Sequence, residues 1–162
     1  MYLDYYGLKN FPFAITANPE FFFGSVSHEE ALAALLYGVN ERKGILLLTG
    51  EVGTGKTTVC KALLRKLPAV VKTSVIFNPY FNSAQLLVAI IEDFGLTPAG
   101  KNRLALLNQL NKFLIEMNQH KSTAVVIIDE AQNLSPAQLE QVRLLSNLET
   151  NEHKLLQVVL SG

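Results

Sequence analysis

Eight residues constrain this chain more than any other stretch: Gly50-Glu51-Val52-Gly53-Thr54-Gly55-Lys56-Thr57. They follow the continuous apolar run Ile45 to Leu48 and lead into a helical segment that reaches Leu67, where Pro68 forbids continuation. A short apolar strand that breaks into a Gly-rich loop and then a helix belongs to a parallel sheet with helices on its faces. Glycines at 50, 53 and 55 let the backbone curl until successive N–H groups face one oxyanion, with no Cβ in the way. The helix that starts near Lys56 aims its partial positive charge at the same point.

Gly, four residues, Gly, Lys and then Ser or Thr is the P-loop pattern, and its ligand is a Mg²⁺-nucleoside triphosphate such as ATP. Gly50, Glu51, Val52, Gly53, Thr54, Gly55, Lys56, Thr57 and Thr58 are the expected phosphate-binding residues. Lys56 is expected to reach the β and γ phosphates and to serve catalysis there. Thr57 Oγ is the expected Mg²⁺ ligand, because Mg²⁺ holds oxygen donors at about 2.1 Å and takes few of them from protein. Thr58 is secondary to it.

The rest of the chain alternates in the same way. Ser27, with Glu30 three positions on, predicts a helix over 28–43 that ends at Gly44. Ser74 to Phe77 reads as a second strand, and Asn82 or Ser83 opens a helix that runs to Phe94 and stops at Gly95. Leu104, Leu107, Leu110, Phe113, Leu114 and Met117 recur at helical spacing over 102–118, and Ala124 to Ile128 is a third, buried strand. Ser135-Pro136-Ala137-Gln138 joins a cap, Pro at the first helical position and Gln at the box position, so a helix runs to about Leu148. Leu155 to Leu160 is the fourth strand. Ahead of all this, residues 1–26 are aromatic and irregular, with Phe11-Pro12-Phe13 and Phe21-Phe22-Phe23 split by the turn signal Asn18-Pro19. They read as a strap over the core, placed to enclose an adenine ring or simply to pack.

Asp129 and Glu130 leave the third strand at its carboxyl end, where an open parallel sheet places its ligands. Asp129 is expected to hold Mg²⁺ through its water shell. Glu130 is the expected base that polarises an attacking water, which hydrolysis needs and phosphoryl transfer to a substrate hydroxyl does not. Ser161 leaves the fourth strand beside them and is read as a polar sensor of the γ phosphate.

Composition bounds the alternatives. With 162 residues, 49% of them hydrophobic, one core and one domain are expected. Fourteen basic residues balance 14 acidic ones, so no excess of positive charge supports a nucleic-acid partner. Cys60 is the single cysteine and cannot form an intramolecular disulfide, which fits a reducing, cytoplasmic compartment; it reads as core. No stretch approaches the ~20 apolar residues of a membrane span. His28, His120 and His153 show no metal-ligand spacing and read as surface residues, and Arg143 reads as part of a solvated helix face.

The order of MYLDYYGLKNFPF, SHEEAL, GEVGTGKTT, NPY, VVIIDEAQNLS and QVVLSG resembles the AAA+ domain of the ExeA-like family of general secretion pathway ATPases, from which pilus-biogenesis ATPases of the MshM type are not separable. The resemblance implies a three-layer αβα AAA+ domain over residues 1–162 with Lys56 and Thr57 on phosphate and Mg²⁺. It makes Asp129 and Glu130 the second acidic motif, and places Ser161 at a sensor position where many AAA+ proteins use Asn. It also implies a homo-oligomer at the cytoplasmic face of the inner membrane, working with secretion or pilus-assembly partners. In such proteins a fifth strand, an arginine finger and a helical lid come later in the chain. Position 162 would therefore truncate the domain, slow hydrolysis by ~10³ where a finger is used, and leave an aggregation-prone edge on the first strand. Two other functions remain open at this point: a DNA-transaction ATPase on the same core, and a nucleotide-binding scaffold without turnover.

Overall fold

The computed structural model describes residues 24–77 and 79–162, together with Tyr5 and Gly7. The aromatic strap expected over residues 1–26 lies outside the described residues except at Tyr5, Gly7 and its last three positions, and so does Asn78. In chain order there follow α1 (Val26–Asn40), β1 (Ile45–Leu48), α2 (Lys56–Lys66), β2 (Lys72–Ile76), α3 (Ser83–Asp93), α4 (Arg103–Gln119), β3 (Ala124–Ile128), one 3-10 turn (Ala131–Asn133), α5 (Pro136–Ser146) and β4 (Leu156–Ser161).

The four strands form one parallel sheet in the order β1-β4-β3-β2. β3 lies inside it, with Ala124 opposite Lys72 on one side and Leu156 on the other. Side chains of a strand alternate between the two faces of its sheet, and β3 shows why both faces must be covered. Ala124, Val126 and Ile128 enter a cluster with Leu86, Ile90, Leu110, Leu114 and Leu145 of α3, α4 and α5. Val125 and Ile127 enter a second cluster with Leu32, Leu35, Val59 and Leu63 of α1 and α2. All five β3 residues are buried, and the three-layer αβα fold expected from the sequence is the fold observed. Truncating one of these side chains, Ile127→Ala for example, removes burial from both sheet and helices and costs about 2–5 kcal/mol.

The ends of elements differ from expectation where packing, not pattern, sets them. Ser25, not Ser27, caps α1: its side chain accepts from the His28 backbone N–H, with its own backbone extended at φ −63 and ψ 159. Ser27 falls in the first turn, 3.2 Å from Ser25 Oγ. α1 stops at Asn40, short of Gly44, and Arg42 at φ 52 and Gly44 at φ 92 carry the chain into β1. β2 begins at Lys72, two residues before the expected start, because pairing with β3 recruits Lys72 and Thr73. Phe77 lies outside the ladder and is exposed. α5 ends at Ser146, not Leu148, and β4 is one residue later than expected at both ends. The capping box of α5 (Ser135 with Gln138) forms as expected, and at α3 the structure selects Asn82 over Ser83 as the cap, with Gln85 completing a box of its own.

β1 pairs only with β4, so among the described residues its other edge carries no strand. Leu47 is 68% exposed there, while Leu46 and Leu48 pack into the second cluster. Helix α1 comes close over this strand, and a Cβ at Gly38 would stand 2.4 Å from Leu46 Cδ2.

Candidate functional site

The loop from Gly50 to Gly55 joins β1 to the first turn of α2 at the carboxyl end of the sheet. Gly53 and Gly55 have φ of 82 and 86, which side-chain-bearing residues rarely adopt. Gly50 is needed for space instead, since a Cβ there would lie 2.9 Å from Thr54 Oγ1. Thr54 braces the loop by donating from its hydroxyl to the Glu51 carbonyl at 2.8 Å. Lys56 Nζ donates to the carbonyls of Gly50 at 2.7 Å and Glu51 at 2.9 Å. Both partners are neutral, so the ammonium is folded over the loop with its charge uncompensated by them.

Thr57 and Asp129 meet across 72 positions of sequence: Thr57 Oγ1 donates to Asp129 Oδ2 at 2.6 Å. Asp129 is 3% exposed, and its other oxygen accepts from the Glu130 backbone N–H at 3.1 Å. The end of β3 holds it in place, because Asp129 N–H still donates to the Ile76 carbonyl of β2 at 2.9 Å. Glu130 then turns the chain in the left-handed region, at φ 55 and ψ 41, a conformation that costs a non-glycine residue ~1 kcal/mol. Gln132 Nε2 donates to Glu130 Oε2 at 2.6 Å. A pocket of about 510 Å³ opens between loop and turn, lined by Gly50–Gly53, Gly55, Lys56, Thr57, Glu130, Gln132 and Gly162. A hydroxyl and a carboxylate in contact are hard oxygen donors, and the pair fits Mg²⁺ while leaving most of the coordination shell to water and phosphate.

The residues expected from sequence are therefore largely brought together. Thr58 is half buried on α2 and does not line the pocket. Ser161 is fully buried at the end of β4 opposite Leu48, its hydroxyl has no hydrogen-bond partner, and Gly162 takes the place on the pocket wall. The thiol of Cys60, a core residue as expected, is pushed up to about 11 by burial; the neighbouring Ser161 hydroxyl pulls it down only in part, lacking the geometry of a hydrogen bond. Such a thiol is inert at neutral pH. A larger depression of about 770 Å³ along α3, lined by Phe81, Val88 and Pro98 among others, shares no residue with this pocket.

Two residues of the site escaped the sequence reading. Gln132, which holds Glu130, stands two positions after it, and a polar side chain that close to an acid was the available signal. His28 was read as a surface residue, and the structure corrects this: it is half buried, with Nε2 2.7 Å from the Thr54 carbonyl of the phosphate loop. A lone histidine in a helix's first turn gives no sign of a partner 26 positions away. Arg143 meets expectation, paired with Glu140 on the exposed face of α5.

The chain matches the AAA domain family over residues 39–162. It is 47% identical over 163 residues to the General secretion pathway protein A of Aeromonas hydrophila, an alignment that covers 100% of this chain but 30% of that protein. Among solved structures it is similar to the Aeropyrum pernix ORC2 protein, determined as ADPNP-ADP complexes, at a TM-score of 0.60 and 19% identity over 85% of this chain and 40% of that one. At that identity the likeness speaks for the fold alone. A family match that begins inside α1 and runs through phosphate loop, acidic pair and β4 leaves one assignment: this chain belongs to the AAA domain family.

Proposed function

We propose that residues 1–162 form one AAA+ nucleotide-binding domain that binds Mg²⁺-ATP between the Gly50–Thr57 loop and the Asp129-Glu130 turn and hydrolyses it. The observation that carries this is the 2.6 Å contact of Thr57 Oγ1 with Asp129, beside a lysine bonded only to loop carbonyls. Loop amides and the α2 N-terminus receive the phosphates. Lys56 leaves its two carbonyls for phosphate oxygens, exchanging neutral partners for charged ones. Thr57 and Asp129 hold Mg²⁺, which when bound offsets the charge of the β and γ phosphates. Glu130, on the pocket wall, accepts the proton of the attacking water. Gln132 keeps its carboxylate oriented.

The 47% identity to a general secretion pathway protein supports a role in secretion; in our reading the domain performs it as an oligomer with membrane-associated partners at the cytoplasmic face. The chain spans 30% of that relative, and no helix among the described residues is long and apolar enough to cross a membrane. Titration of Mg²⁺-ATP into the purified chain by calorimetry tests the site. Binding that Lys56→Ala abolishes and Glu130→Gln keeps is the expected result; a parent chain that binds no nucleotide would sink the reading.

A further inference from the structure

Helix α1 reaches the Gly50–Gly55 loop through the side chain of His28. His28 Nδ1 lies 2.9 Å from Ser25 Oγ, and Nε2 lies 2.7 Å from the Thr54 carbonyl oxygen. A carbonyl only accepts, so Nε2 carries a proton whatever the charge of the ring, and the Ser25 hydroxyl is free to complement either state of Nδ1. The same hydroxyl caps α1, so the imidazole is held by the helix end it grows from.

The consequence falls on the next N–H. A trans peptide is planar, with C=O and N–H on opposite sides, so a Thr54 carbonyl drawn toward His28 turns the Gly55 N–H away from His28. Gly55 lines the phosphate pocket and Thr54 does not. This peptide has freedom to flip, because a flip turns Thr54 ψ and Gly55 φ together, and Gly55, at φ 86, accepts either sign of φ. Thr54 is otherwise braced by its hydroxyl and its N–H to the Glu51 carbonyl, neither of which restrains its own carbonyl. The ring also closes the space behind the loop, where a Cβ on Gly55 would stand 3.1 Å from Nε2.

We propose that His28 is a positioning residue of the phosphate loop: its Nε2–H holds the Thr54–Gly55 peptide so that the Gly55 N–H faces the phosphate pocket before nucleotide arrives. This deepens the nucleotide-binding reading above and rests on it for its consequence. A donor oriented in advance spends no binding free energy on being turned. Losing that orientation weakens Mg²⁺-ATP binding by about tenfold, the equivalent of one hydrogen bond.

The test compares the parent chain with His28→Ala and with His28→Gln, whose side-chain amide can still donate. In the nucleotide-free chain, NMR reads the Thr54 carbonyl carbon and the Gly55 amide; both resonances are expected to move or broaden in His28→Ala and to return toward the parent in His28→Gln. Calorimetry with Mg²⁺-ATP reads the consequence, a loss in His28→Ala that His28→Gln restores to within about threefold. Unchanged Thr54 and Gly55 resonances overturn the proposal, as does unchanged affinity once they have moved. A loss of affinity matched by a lower melting temperature, with no rescue by glutamine, overturns it too, since His28 would then only pack. A parent chain that binds no ATP removes the nucleotide reading instead, and the NMR comparison still decides whether His28 holds the peptide.

Discussion

The two ends of the sheet use similar residues to opposite effect. At the amino ends of the strands, Arg42 donates to Asn118 Oδ1 at 2.7 Å and to the Ser122 carbonyl and Thr123 hydroxyl at 3.3 Å each. His153 Nε2 joins the same Asn118 oxygen at 2.9 Å, and Gln157 accepts from Gly44 N–H at 2.8 Å while donating to the Lys154 carbonyl. These groups satisfy one another, and burial only lowers the Arg42 pKa from its ordinary value. At the carboxyl ends, Lys56 is bonded to loop carbonyls, Thr57 and Asp129 to each other, and the buried Ser161 hydroxyl to nothing. Polar groups that saturate each other tie elements together. Groups left with exchangeable partners suit the ligand site proposed above.

The largest effect expected at the ligand end is on turnover. Glu130→Gln keeps Mg²⁺-ATP binding and lowers steady-state hydrolysis by ~10³-fold, the span of a lost general base, measured by phosphate release. Lys56→Ala weakens Mg²⁺-ATP by at least ~100-fold in calorimetry while leaving the nucleotide-free stability within about 1 kcal/mol. Arg42→Ala should reverse that pattern: a loss of about 2 kcal/mol in urea unfolding, with nucleotide affinity unchanged. If both variants lose both properties, the contrast between the two ends fails.

Between the ends, Cys60 gives a pH signature. Its pKa is raised from 9.0 to about 11 on folding, so its stabilising share is complete below pH 9 and is lost as pH rises through about 11. That share is about 3 kcal/mol at most, and Cys60→Ala should show a shallower fall in stability over this window. The smallest effect is at the open edge of β1. Leu47→Thr, at a side chain 68% exposed, should change stability by no more than ~0.5 kcal/mol and reduce self-association in light scattering. A parent chain that is already monodisperse would remove the edge as a liability.

Much of this molecule was legible from local pattern. β1 and β3 are legible to the residue because an apolar run bounded by turn signals has few alternatives, and Ser135 announces its helix, while the start of α3 is legible only as Asn82 or Ser83. Strand ends set by pairing, as at Lys72, were not legible, since the partner residue Ala124 lies 52 positions away. The cap of α1 was misplaced by two residues because Ser25 and Ser27 offer the same hydroxyl, and only packing distinguishes them.

Sequence alone determined the Gly50–Gly55 turn ahead of a helix and the acidic pair at the end of a strand, because backbone curvature, a helix start and a strand end are properties of consecutive residues. It determined the parallel αβα class for the same reason, through runs too apolar to leave either face uncovered. Only the tertiary structure decided that Thr57 touches Asp129, that Ser161 is sealed beside Cys60 while Gly162 lines the pocket, that β1 stands at the end of the described sheet, and that His28 reaches Thr54. Those are distances between residues far apart in the chain. No spacing rule carries them, since they exist only once helices and sheet have closed on a shared core.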